Sequence, residues 1–201
     1  MKYMGRAALL AFLIALVGAT PAQAAPDPAG VYNRIVASAN PAATYSWLTP
    51  AQQNAFRFYL LPAATSVRPI ASPSRMRAQA PLALAASGCK NLGNVVSARN
   101  AFGVELWRYE LYVNFCWNSG RITYSEAHDK GLVYVAFWSW RQISLTKSVA
   151  TSLMPQRLTV AAQAEFKVCL FADIGCMQYY YPWHTMRALG DGTVTLWAMG
   201  K

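Results

Sequence analysis

Glu126, His128 and Asp129 form the tightest cluster of ionisable residues in the chain, and each type can ligate a metal or move a proton. They stand between two expected strands, beside Lys130 and Gly131, where a polar turn accounts for them without any chemistry. His184 follows Trp183, and alternation places it with Cys169 on the solvent side of a strand. Glu105, Glu110 and Glu165 could supply the carboxylate pair of a glycosidase, but the same alternation makes Glu110 and Glu165 solvent-facing strand residues. No G-x-S-x-G elbow is present, and the four cysteines have another use. These residue types point to no catalytic set, no metal site and no cofactor. A secreted hydrolase built on His128 or His184 is the alternative reading.

Aromatic and basic residues are the remaining resource. From Met177 to His184 the chain packs three tyrosines and Trp183 around Pro182. Alternation sends Tyr180 outward and turns Tyr179, Tyr181 and Trp183 inward, with Tyr112 and Trp197 as further outward rings. Exposed rings on a sheet can stack on sugars or hold a partner's apolar surface. The net charge is +10, unevenly spread. Between Pro28 and Val104 there are Arg34, Arg57, Arg68, Arg75, Arg77, Lys90 and Arg99 but no acid. Such a segment attracts anionic wall polymers or lipid headgroups by long-range, salt-screened forces. Arg68, Arg75, Arg77, Tyr112, Tyr180 and Trp197 are therefore the candidate contacts.

What must position these residues follows from the ends inward. Lys2 and Arg6, an apolar run from Ala7 to Ala19, and Ala22, Gln23 and Ala24 have the order of a cleavable export signal, residues 1–24. The run is shorter than the ~20 residues that a membrane-crossing helix needs. The expectation is a secreted chain with no integral membrane segment after processing. Asp27 before Pro28 caps a short helix through Ser38. Thr49, Pro50 and Gln52 form a capping box for a second, whose apolar stripe (Ala55, Phe56, Tyr59, Leu60) ends at Pro62. From Pro62 to Ser87 the Ala, Pro, Ser and Arg-rich chain reads as a linker. Residues 25–87 are thus a helical segment with a basic linker, and 88–201 a β domain.

Four cysteines in an exported chain fit two disulfides, with three pairings possible. A hairpin turning at Phe102 and Gly103 pairs Trp107 with Ala98, Tyr109 with Val96, Val113 with Leu92 and Cys116 with Cys89. Apolar alternation, turn chemistry and cysteine apposition agree on that register. A second hairpin turning at Ala172 and Asp173 pairs Phe166 with Tyr179, Ala164 with Tyr181, Ala162 with Trp183, and Cys169 with Cys176. Gly120 to Tyr124, Leu132 to Trp140 and Gln142 to Lys147 read as further strands. The 132–140 run, apolar on both sides, reads as a central strand covered by the Thr49-capped helix. With a last turn at Gly190 to Gly192, seven or eight strands give an antiparallel β-sandwich of immunoglobulin-like size with a short N-terminal helical segment.

With Ala98, Arg99 and Asn100, then Gly103, Leu106, Trp107 and Tyr109, then Cys116 and Trp117, the stretch from Cys89 to Thr193 resembles a group of small, mostly uncharacterised exported proteins of high-GC Gram-positive bacteria. Cys169, Gly175, Cys176, Gln178, the Tyr181-Pro182-Trp183 triplet and Gly190, Asp191 and Gly192 carry the rest of the likeness. The resemblance implies export, two disulfides and a β-sandwich-like domain, and no activity or site. The expected role is non-catalytic binding at or outside the cell envelope. Structural or inhibitory action through the aromatic face is a further alternative, and nucleic acid is not the expected ligand.

Overall fold

The computed structural model describes residues 25–70, 87–171 and 174–200, except the side chains of residues 196 and 197. Helix α1 (Pro28–Val36) starts at Asp27, whose carboxylate accepts from the Ala29 and Gly30 amides. Helix α3 (Pro50–Leu60) carries the expected capping box, with the Gln52 amide donating to Thr49 Oγ1 and the Thr49 amide to Gln52 Oε1. Between them α2 (Pro41–Ser46) is capped by Asn40, the same signal in its shortest form.

Nine strands follow among the described residues: β1 (Ala64–Ile70), β2 (Ser87–Arg99), β3 (Glu105–Asn118), β4 (Arg121–Val133), β5 (Trp138–Ala150), β6 (Arg157–Cys169), β7 (Cys176–Tyr180), β8 (Trp183–Leu189) and β9 (Val194–Gly200). They form two antiparallel sheets, β1-β2-β3-β4 and β5-β6-β8-β9, with β7 beside β6 in line with β8. The protein is an antiparallel β-sandwich with a short helical segment. Its core stacks Trp107 on Phe166 at 4.5 Å between the sheets. Both expected disulfides, Cys89–Cys116 and Cys169–Cys176, are formed.

Several sequence expectations fail for identifiable reasons. Ala64–Ile70, inside the stretch read as linker, is an edge strand on β2. Pro69 is tolerated there because an edge strand leaves amides unpaired in any case. The 132–140 run is no central strand. It ends β4, crosses between the sheets at 134–137 and begins β5. Its apolar residues on both sides serve the helices, which close the end of the sandwich rather than covering a face. Phe137, at φ 72°, packs edge-on against Phe56, Tyr32 Oη accepts from the Ala136 amide, and Trp138 Nε1 donates to Leu60 O.

The second hairpin differs by one residue from its expected register. Cys169 does face Cys176, but a bulge then follows, and Val168 pairs with Gln178, Lys167 with Tyr179 and Phe166 with Tyr180. Met177 is the extra residue. A slip of one exchanges the two faces of every later residue. The shifted register runs on through Pro182, whose carbonyl accepts from the Ala164 amide, into Gln163 with Trp183 and Ala162 with His184.

Candidate binding face

Because of that bulge, Tyr180 turns inward, 5.8 Å from the Trp107 ring and 5.9 Å from Trp138, and burial raises its hydroxyl pKa. Tyr179, Tyr181 and Trp183 turn outward, at 47%, 43% and 37% exposure. The sequence reading had these four rings on the opposite sides. Three rings at alternate positions of one strand line stand roughly 7 Å apart.

The strands beside them complete a grid. Lys167, Glu165 and Gln163 of β6 lie opposite Tyr179, Tyr181 and Trp183 respectively. Ser139, Arg141 and Ser144 of β5 form the next row. Arg141 clamps Glu165 with two hydrogen bonds of 2.9 and 3.0 Å, which lowers the Glu165 carboxyl pKa. That clamp, with Tyr181 beside it, leaves Glu165 only 5% exposed although it is on an outer face. Trp183 has room to lie across β9 because residue 200 is glycine. A Cβ there would come 2.6 Å from the indole Nε1. Past Trp183 the surface dips, where Ala161 lies between Ser144, Gln163 and Thr185. Arg187 and Arg157 follow further along β8 and β6.

No family model, curated protein or solved structure matches this chain. What can be said of the site therefore rests on its own geometry.

The remaining candidates are scattered. Arg68 is exposed on β1 and Tyr112 sits on β3, both on the outer face of the other sheet. Tyr112 donates to Glu110 Oε2 at 2.9 Å, and burial followed by this bond raises its hydroxyl pKa. Trp197 belongs to β9, but its side chain, like the whole of Arg75 and Arg77, lies outside the described residues.

The ionisable cluster is not a turn. Glu126, His128 and Asp129 all lie within β4, opposite Asn114, Tyr112 and Leu111. Glu126 and His128 pair outward at 2.8 Å, and Tyr124 Oη also donates to Glu126. Asp129 faces the other way, accepting from Tyr109 Oη at 2.7 Å and Gln142 Nε2 at 2.9 Å. The strand pleat separates the three residues that the sequence groups together. Glu110 and Glu165 occupy outer faces of opposite sheets, so they cannot flank one bond.

His184, read as solvent-facing, is fully buried. Its ring lies 5.1 Å from that of Tyr109, and Nε2 is 3.4 Å from the Tyr109 carbonyl oxygen, while Nδ1 has no partner among the described residues. Desolvation pulls its pKa down to about 4, so the ring is neutral at pH 7.

The sequence does carry a signal for the outward ring line. Thr185, Met186, Arg187 and Ala188 alternate with even numbers apolar. Extended backwards, that pattern puts His184 inside and Trp183 outside. The cysteine apposition argued for the opposite parity, and the bulge reconciles them.

Proposed function

We propose that this is an exported, non-catalytic binding protein that works at or outside the cell envelope, with the outer face of the β5–β9 sheet as its contact surface. One observation carries the reading: Tyr179, Tyr181 and Trp183 stand exposed in a line on a rigid sheet, beside Glu165, Arg141 and Gln163. Rings held by backbone pairing lose little freedom on binding, which is what a preorganised contact requires. Export is supported by the two disulfides, which persist in oxidising compartments, and by the order of residues in 1–24. Among the described residues no helix is long and apolar enough to cross a membrane. The buried, neutral His184 and the placement of Glu110 and Glu165 on opposite sheets favour binding over hydrolysis. Retention on purified cell-wall fractions tests the proposal. The oxidised protein is expected to be retained, and the Tyr179→Ala/Tyr181→Ala/Trp183→Ala protein to pass through. Equal retention of both removes the ring face from the account.

A further inference from the structure

Resting on that reading of the face, we infer that its ligand is an extended, anionic glycan lying along the line of β7 and β8. The layout is linear. Three rings spaced by roughly 7 Å are followed along β8 by Arg187, with the dip over Ala161 of β6 beside Thr185 between them. A chain polymer can use such a track, whereas a compact ligand would touch one or two of its positions.

The pairing of rows selects the chemistry. Sugars present a C–H face that stacks on an aromatic ring and hydroxyls at the rim that hydrogen-bond in both directions. Beside the rings stand a carboxylate, a guanidinium, an amide and two hydroxyls, in Glu165, Arg141, Gln163, Ser139 and Ser144. An apolar protein surface would take Gln163, Ser139 and Ser144 out of water with no hydrogen bond in return, and would desolvate the Arg141–Glu165 pair as well, at a cost.

Charge sets the sign. The described outer face carries Arg141, Arg157, Lys167 and Arg187 against the one acid Glu165. Arg157 and Arg187 have no ion pair among the described residues, so an anion arriving there breaks none. A single-stranded nucleic acid also stacks on rings, but it brings a phosphate with every base and needs cations in step with them. Here Glu165 lies opposite the middle ring, and Arg157 and Arg187 sit beyond the ring line, at its β8 end. That arrangement fits a polymer whose charges are sparser than its rings.

Binding of the oxidised full chain to four probes tests the inference: a neutral linear glucan, a polyuronate, a phosphate-linked polyol glycan and a single-stranded oligonucleotide. At low salt at least one anionic glycan is expected to bind about tenfold more tightly than the glucan. Tyr181→Ala and Trp183→Ala should each weaken it by about tenfold or more, and Arg187→Glu by a few-fold. The uronate and phosphate arms identify which anion is recognised. All these side chains are exposed, so an unchanged thermal midpoint certifies each variant as folded. Glucan bound as tightly as either charged glycan, or oligonucleotide bound best, overturns the inference. So does binding of no glycan by a protein that wall fractions still retain through its rings. Loss of that ring-dependent retention itself would sink the broader binding proposal instead.

Discussion

On the outer face of the β1–β4 sheet, Arg108 is held between Glu105 and Glu110, Tyr112 donates to Glu110, and Tyr124 and His128 converge on Glu126. On the outer face of the β5–β9 sheet, Arg141 alone is committed to a carboxylate, while Arg157 and Arg187 are unpaired among the described residues and three rings lie open. Both faces are polar and both hold tyrosine, arginine and glutamate. Cations without an ion pair among the described residues, Arg68 and Lys130, stand on the first face too, so the difference is in the rings, three of which lie open in a line only on the second. Groups that already satisfy one another stiffen a sheet but offer a ligand little, because binding must first break their bonds. Rings that lie open, even where one of them bonds a neighbour as Tyr181 does Glu165, and cations that hold no carboxylate give up mostly water.

The contrast between neighbouring rings gives the largest effect. Tyr180→Ala empties a place between Trp107 and Trp138 and should cost about 2–4 kcal/mol in urea unfolding. Tyr179→Ala and Tyr181→Ala should each stay within about 0.5 kcal/mol. Equal costs at 179 and 180 would mean that the bulge at Met177 is misplaced.

A pH series follows closely in size. The folded-state pKa of His184 is depressed to about 4 from an ordinary value of 6.5, so below 6.5 the unfolded chain binds a proton that the native protein does not. Stability due to this residue is complete above about pH 6.5 and declines as pH falls towards 4, by about 3 kcal/mol in all. His184→Leu should flatten that slope while leaving the steeper loss at lower pH, where carboxylates such as Glu165 and Asp191, held below their ordinary pKa, are protonated. Urea midpoints of the two proteins between pH 4 and 8 provide the check.

Arginine removal separates the faces directly. Arg108→Ala strands two largely buried carboxylates, Glu105 and Glu110, and should cost about 1–2 kcal/mol with wall retention intact. Arg187→Ala should change stability by less than about 0.5 kcal/mol yet weaken retention. The smallest change, Gly200→Ala, should move only the Trp183 indole and reduce retention a few-fold.

How far each region could be read from residues alone depended on how many constraints coincided. In the first hairpin the turn at Phe102 and Gly103, the alternation and the cysteines all call for one register, and the strands pair so from Ser87 to Ala98. In the second, the disulfide fixes only its own rung. Nothing in a cysteine pair forbids an extra residue next to it, and Met177 carries every later side chain to the other face. Polar Glu126 to Lys130 looked like a turn because β4 is an edge strand whose side chains meet solvent or the other sheet's rim. The 132–140 run misled for the converse reason: its apolar residues answer two different neighbours, the sheets and the helices. The aromatic run from Tyr179 to Trp183 stood out in the sequence, but the candidate contacts drawn from it did not: Tyr180 is inward, Arg68 and Tyr112 lie on the other sheet, and Arg141 and Arg187 carried no signal until the register placed them beside the rings.

Hydroxyl-radical footprinting of the oxidised protein, mapped residue by residue with and without the polymer it retains, reports orientation and contact together. Tyr179, Tyr181 and Trp183 should label strongly in the free protein and be shielded on binding, with Tyr180 and Trp107 protected in both states. Strong labelling of Tyr180 over its two neighbours, or three rings equally reactive whether or not the polymer is bound, would contradict the account.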